Sequence, residues 1–279
     1  MTDISVLGSL TVTHAGRSIV PTAAKPRKVL ALLALRPDQT VSVSAFLEEL
    51  WEQRPPRSAL TTLQTYILRL RHLIDEAEHG RAGAGAGSRP PSREVLATWG
   101  NGYLLGTHGG RIDIQEFEQF ASAGHRSMAA ADYRAASGYF RRALALWRDE
   151  ALVDVQAGPL LSTAIRHLEE QRLSVLSRRV EADLKLGRHH ELLSDLASLC
   201  AQYPLHEGFQ AQYMLALCRA GRRSDALQTF QRLRSRIREE LAMDPSPALH
   251  RLQQAILNGD AGLDLPEHPV QESALRIAG

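Results

Sequence analysis

Cysteine, aromatic rings and, in its front half, acid are what this 279-residue chain has least of. Two cysteines, Cys200 and Cys218, do not amount to a disulfide framework; both lie in apolar helical patterns, which predicts reduced, buried thiols. Aromatics are 5% of the residues while Ala, Leu and Arg dominate, a composition that leans towards helix. No apolar run approaches the roughly 18 residues of a membrane span, and MTDISVLGSL lacks the basic start and long apolar stretch of a signal peptide. No membrane partner is therefore expected, and the expected location is the cytoplasm. The chain contains no GxSxG, Walker A, CxxC or HExxH pattern, so it reads as a non-enzyme. The adjacent His189 and His190 are expected to point apart on a helix; no metal and no cofactor is expected.

Acid is missing where base is present. Up to Ile112 there are 13 Lys/Arg against 9 Asp/Glu, and beyond it 20 against 22, so the formal net charge of +2 hides a basic front half. No acid lies between Asp3 and Asp38, a stretch that holds Arg17, Lys25, Arg27, Lys28 and Arg36. That asymmetry points to a polyanionic partner for the front half.

The front begins with three short strands, Ile4 to Leu7, Leu10 to Thr13 and Ser18 to Val20, separated by Gly8 and Ala15-Gly16. Lys25-Pro26 opens a helix whose nearly all-apolar run, Val29 to Leu35, predicts burial, and Pro37 stops it. Thr40-Val41 reads as another short strand, and Ser42 or Ser44 as the cap of a helix over Ala45 to Trp51. After Pro55-Pro56 comes the most informative stretch, RSALTTLQTYILRLRHLID, from Arg57 to Asp75. Leu60, Leu63, Ile67, Leu70 and Ile74 make one stripe at the ~3.6-residue period of a packed helix. The opposite face carries Ser58, Thr61, Thr65, Arg69 and His72, with Thr62 and Leu68 on its shoulders and no acid between Glu52 and Asp75. Hydroxyls and guanidiniums on an acid-free face suit a helix lying in the major groove of DNA, where a carboxylate would be repelled. An ordinary surface helix that happens to be basic is the bland alternative.

From His79 to Arg93 the Gly/Ala-rich run reads as a flexible insertion, with neither the strand nor the helix start of a phosphate loop around it. Val95 to Trp99 and Tyr103 to Leu105 follow as strands joined through Gly100-Asn101-Gly102, a strong hairpin signal. From Asp113 strands give way to helical patterns. Gly187-Arg-His-His-Glu-Leu-Leu193 and Gly221-Arg-Arg-Ser-Asp-Ala-Leu227 are versions of one phrase 34 residues apart, the period of tetratricopeptide repeats. Leu192 and Leu196 then correspond to Ala226 and Phe230, and Ala136, Phe140 and Ala143 repeat the small-then-large spacing. The run Arg232 to Arg238 reads mainly as a solvated face. The expected layout is an α+β domain over 1–110, an all-α tetratricopeptide-like domain over 111–258 and a loose tail from 259.

Strands, helix, short strand, two helices and hairpin, in that order, resemble the winged helix-turn-helix of the OmpR/PhoB type, the output domain of two-component systems. The phrases KPRKVLALLAL from Lys25, Leu50-Trp51 with Pro55-Pro56, LTTLQTYILRLR from Leu60 and GNGYLL from Gly100 resemble the Streptomyces antibiotic regulatory protein family more closely. The back half resembles the bacterial transcriptional activation domain of that family, through LEEQRL from Leu168, EADLKLGR from Glu181, YPLHE from Tyr203, MLALCRAGR from Met214 and DPSPAL from Asp244. The resemblance covers residues 4 to 258 and implies a sequence-specific activator of secondary-metabolite (antibiotic) genes. It implies that Thr61, Thr65 and Arg69 read bases, that Thr62, Tyr66 and Arg71 hold phosphates, and that Arg57, Ser58, Asn101 and Tyr103 join the DNA-binding set. It further implies that Glu52, Gln53, Arg54 and Pro55 touch RNA polymerase, that the partners are double-stranded promoter DNA with direct repeats, RNA polymerase and its sigma factor, and that the chain is a homodimer on DNA. The reading from another class is a protein-interaction scaffold built on the helical repeats; a small-molecule effector held between those helices is a third.

Overall fold

The computed structural model describes residues 1–79 and 92–264, so most of the Gly/Ala-rich insertion and the end of the tail lie outside the described residues. The described residues form two compact units, one within 1–126 and 138–176, the other within 127–137 and 177–264.

The first unit opens with β1 (Thr2–Ser5), β2 (Thr11–His14) and β3 (Arg17–Ser18), an antiparallel sheet in that order. β1 starts two residues before the strand predicted at Ile4. It stops at Ser5 because the next two amides leave the ladder: Val6 and Leu7 donate to Asp113 Oδ2 at 2.8 and 2.9 Å. Burial pushes the Asp113 carboxyl up from its ordinary range, while those two N–H groups and Arg148 pull it down.

Three helices follow, α1 (Ala24–Ala34), α2 (Val43–Trp51) and α3 (Ala59–His79). Every residue of α1 from Val29 to Ala34 is buried, as its apolar run predicts. Ser42 caps α2, its hydroxyl accepting from the Ala45 N–H at 3.2 Å. The buried stripe of α3 is Leu63, Ile67, Leu70, Ile74 and Ala77; Leu60, expected in it, is 48% exposed because Ala59 fills the inward place in the first turn. A four-residue helix, α4 (Ser92–Val95), precedes β5 (Leu96–Trp99) and β6 (Gly102–Leu105), which pair with β4 (Val41–Ser42) in the order β4-β6-β5. The two-residue loop of this hairpin is Gly100-Asn101, and Gly100 takes the left-handed conformation at φ +54°, the first-position requirement of a II′ turn. Gly102 belongs to the strand, where a Cβ would stand 2.2 Å from the Val41 carbonyl oxygen.

The core of this unit does not end with the hairpin. After α5 (Asp113–Ala129) and α6 (Tyr133–Leu144), residues 145–158 run back along the first sheet before α7 (Pro159–Lys185) begins. The Arg148 N–H donates to the Leu7 carbonyl at 2.9 Å, and Leu152 N–H to the carbonyls of Val6 and Gly8. Asp154 accepts from the Leu10 N–H at 2.7 Å and meets Arg27. Leu152, Val155 and Leu161 are buried in one cluster with Val29, Phe46, Leu63 and Ile67.

The second unit holds α8 (His189–Gln202), α9 (Glu207–Arg219), α10 (Arg223–Leu241) and α11 (Pro247–Asn258). One turn recurs three times between paired helices. Gly187 and Gly221, at φ +75° and +74°, donate three residues back, and the residue after each donates five back, the two bonds of a Schellman motif. Ala131 builds the same turn at φ +56°, its N–H on Met128 and that of Asp132 on Ser127. The next positions in register, Ala136, Leu192 and Ala226, then Phe140, Leu196 and Phe230, are all buried. An L-residue in this conformation costs roughly 1–2 kcal/mol relative to its right-handed alternative. Ala131→Gly is therefore expected to stabilise the protein by about 1 kcal/mol, part of the gain being offset by the freer unfolded chain. Thermal unfolding checks this; an unchanged or lower midpoint would rule out strain at Ala131.

Three smaller expectations change. Cys200 and Cys218 are free thiols but half-buried, with burial pushing Cys200 up to about 12. The rings of His189 and His190 do not point apart: their centroids are 4.5 Å apart, and burial lowers the His189 pKa, helped by His190 and Arg219. The tail begins with an ordered 3-10 turn, Ala261–Leu263, where the Leu263 carbonyl accepts from Arg219 Nε at 2.7 Å; residues 265–279 lie outside the described residues.

Candidate nucleic-acid interface

Burial of one stripe of α3 decides what the other presents. Arg57, Ser58, Thr61, Gln64, Thr65, Leu68, Arg69 and His72 are exposed, and Thr62, Tyr66 and Arg71 are half-exposed on the flanks. The helix starts where Pro55-Pro56 ends the preceding chain: Ala59 N–H donates to the Pro56 carbonyl and Thr62 N–H to that of Ser58, both at 2.9 Å. Among the described residues neither Arg57 nor Arg69 has an ion-pair partner, so both guanidiniums face solvent ready for an anion. The Thr65 hydroxyl donates to the Thr61 carbonyl at 2.9 Å. Its proton is thereby committed, so towards a ligand Thr65 is an acceptor and a methyl group.

Two residues assigned by resemblance do different work. Arg71 Nε and Nη2 donate to the Leu96 carbonyl at 3.0 and 2.9 Å, and Nη2 also reaches Thr98 Oγ1 at 2.9 Å. It pins β5 to α3. Burial lowers the Arg71 pKa and the neighbouring Arg93 lowers it further, while Tyr103 opposes them, yet a guanidinium stays charged. Tyr103 is corrected from the contact set to the core: it is buried, its ring edge-on to Phe46 with centroids 6.0 Å apart. Asn101 does lie exposed at the hairpin tip, its backbone carbonyl accepting from Val43 N–H at 2.9 Å.

The structure adds residues that periodicity missed. Gln64 shares the outward face, three residues after Thr61 and four before Leu68, a spacing that could have found it. Leu68, read from periodicity on the shoulder of that face, is 53% exposed, and the unforeseen Trp99, on β5, is 70% exposed beside Thr98. Nothing in the local pattern separates an outward Trp99 from a core aromatic, because a four-residue strand offers only two positions per face.

The loop Glu52, Gln53, Arg54 and Pro55 is exposed throughout. It begins with Glu52 at φ +55°, whose N–H still donates to Glu48, and Arg54 N–H returns to the Trp51 carbonyl at 3.0 Å. Just inside α2 lies Glu49, 1% exposed. Its carboxylate accepts from the N–H groups of Gly158, Leu160 and Leu161, capping the first turn of α7. A Cβ on Gly158 would come within 2.3 Å of the Glu49 carbonyl oxygen, so the approach requires glycine.

Comparison with known proteins agrees with this architecture. A model described as bacterial transcriptional activator domain matches residues 112–257, and one described as transcriptional regulatory protein, C terminal, matches residues 16–105. The chain is 46% identical over 273 residues to Regulatory protein DnrI of Streptomyces peucetius, covering 97% of this chain and 98% of that protein. It is 34% identical over 259 residues to Regulatory protein AfsR of Streptomyces coelicolor, covering 92% of this chain but only 24% of that protein. The solved structure of Mycobacterium tuberculosis EmbR in complex with a low affinity phosphopeptide superposes with a TM-score of 0.81 at 28% identity, over 96% of this chain and 66% of that one. These descriptions are all of transcriptional regulators, which points to a non-enzyme, and among the described residues no helix is long and apolar enough to cross a membrane. The chain belongs to the Streptomyces antibiotic regulatory protein family of transcriptional activators, a winged helix-turn-helix followed by a helical bacterial transcriptional activator domain.

Proposed function

We propose that the protein binds promoter DNA sequence-specifically and activates transcription of secondary-metabolite genes by recruiting RNA polymerase. The observation that carries this reading is the outward face of α3, which combines uncompensated arginines, hydroxyls and an amide with no acid from Glu52 to Asp75. Arg69, Gln64, Thr61 and Thr65 then face base edges, Leu68 meets thymine methyl groups, and Arg57, Ser58, Thr62 and Tyr66 hold the backbone. Arg71 acts mainly by fixing the hairpin, which brings Asn101 and Trp99 to the adjacent groove. Two protomers sit on direct repeats, and the exposed loop Glu52 to Pro55 faces polymerase and its sigma factor. Each ~1.4 kcal/mol of such contact is about tenfold in occupancy.

Fluorescence anisotropy on the chain's own upstream region against a scrambled duplex, across a salt series, tests the reading. Arg57→Ala is expected to weaken binding to every duplex and lower the salt slope by about 1. Arg69→Ala is expected to cost about 1–3 kcal/mol on the promoter and little on the scrambled duplex. Equal losses on both duplexes for both variants would refute the division of roles, and equal weak binding of the wild type would refute specific recognition.

A further inference from the structure

The second unit contains a cavity of about 280 Å³ walled by α8, α9 and α10. At ~30 Å³ per water it holds about nine, the size of an organic molecule of roughly ten heavy atoms. Ala197, Ala201 and Pro204 give it one apolar side and Leu233 another, while Tyr213, Arg232 and Arg236 supply polar groups; among the described residues no acidic one lines it. The thiol of Cys200, held neutral by burial, adds no charge to the wall.

The arginines of α10 are not equivalent. Arg234 and Arg238 lie 3.8 and 2.8 Å from Asp244, and Arg236 lies 2.8 Å from Glu240. Arg232, at the cavity, meets no carboxylate among the described residues. Its Nη2 donates to the hydroxyl of Thr229 at 3.2 Å, and that hydroxyl's own proton goes to the Asp225 carbonyl at 2.9 Å. Thr229 is buried, so it holds the guanidinium at the cavity while leaving its charge uncompensated. A cation fixed beside a small apolar recess selects a carboxylate attached to an apolar body.

We propose that this cavity is a binding site for a small amphipathic carboxylic acid, with the carboxylate on Arg232 and the apolar part against Ala201 and Leu233. The site is independent of the DNA-binding reading and of α3.

Amide-resolved NMR titration of the full chain tests it, using phenylacetate, octanoate, the neutral isostere phenylacetamide and inorganic phosphate as probes. One of the two acids is expected to shift the amides of Tyr213, Thr229 and Leu233, with phenylacetamide and phosphate each at least about tenfold weaker. Arg232→Gln is expected to weaken the acid about tenfold or more, and Ala201→Phe, which fills the recess from an exposed position, to abolish binding. Because both positions are at the surface, an unchanged spectrum elsewhere verifies the fold. Equal binding of acid and amide would leave a merely apolar groove, and equal binding of phosphate would leave merely surface arginine; either overturns the proposal. So does a lack of any shift at millimolar probe, or shifts located elsewhere.

Discussion

Glu49→Ala is expected to cost about 3–5 kcal/mol, because three backbone N–H groups lose their acceptor at once. The carboxylate is 1% exposed and accepts three N–H groups from Gly158, Leu160 and Leu161. No Lys or Arg side chain ion-pairs with it among the described residues; Lys28 donates to the Glu49 backbone carbonyl instead. What compensates its burial is therefore the start of a 27-residue helix, whose unpaired N–H groups and positive dipole end meet the negative charge. Alanine leaves the buried donors of Gly158 and Leu161 and the half-buried one of Leu160 unmet, a buried donor being worth about 1–3 kcal/mol when orphaned. Glu49→Gln keeps an acceptor oxygen but turns an amide NH2 towards backbone N–H, so roughly half the loss is expected. Urea unfolding with hydrogen exchange at Leu160 and Leu161 measures both. A loss below about 1 kcal/mol with those amides still protected would mean that water replaces the carboxylate.

This contact has a functional corollary within the proposed mechanism. α2 carries Glu49 on one side and ends in the exposed loop Glu52 to Pro55. The loop offered to polymerase is thus set by a helix whose orientation is fixed at α7. Loosening Glu49 would blur that loop while leaving the outward face of α3, which depends on Leu63, Ile67 and Leu70, in place.

Local periodicity made α3 legible: its stripe from Leu63 to Ile74 and its hydroxyl-and-arginine face both follow from ~100° per residue between a proline pair and the first acid. The 34-residue spacing of Gly187 and Gly221 was legible for the same reason, since each glycine meets one backbone demand. What escaped was decided by distant partners. Nothing local marks Glu49 for burial; the three amides that hold it come from a segment more than 100 residues away. The resemblance makes Arg71 a phosphate ligand, and nothing near it in the chain shows that Leu96 and Thr98 engage its Nε and Nη2. Tyr103 and Trp99 exchange the roles that their residue types suggest, because the close pairing of β4 with β6 faces Tyr103 onto Phe46. The repeat also hid a clue. Ala131 and Gly187 make the same turn 56 residues apart rather than 34, and the stretch between them includes residues 145–158, the segment that lies along the first sheet.

A chain ended at residue 112, the boundary that the strand-to-helix change suggests, is expected not to fold cooperatively. It would lose Leu152, Val155 and Leu161, all buried against α1, α2 and α3. At about 1.5–3 kcal/mol for each fully buried side chain, that loss is comparable with the whole 5–15 kcal/mol that holds a typical domain together. It would also strip the α7 amides from Glu49 and the Asp113 and Asp154 carboxylates from the amides of Val6, Leu7 and Leu10. The Val6 and Gly8 carbonyls would lose their donor as well. A chain ended at residue 176 keeps every one of these groups. Two-dimensional amide NMR spectra and urea unfolding of the two fragments decide the matter. The shorter is expected to give collapsed dispersion and to lose promoter binding; the longer is expected to give dispersed peaks, a single transition and binding that survives. If the shorter fragment unfolds cooperatively within about 2 kcal/mol of the longer, residues 145–161 merely rest on the winged helix, and the winged helix is self-sufficient.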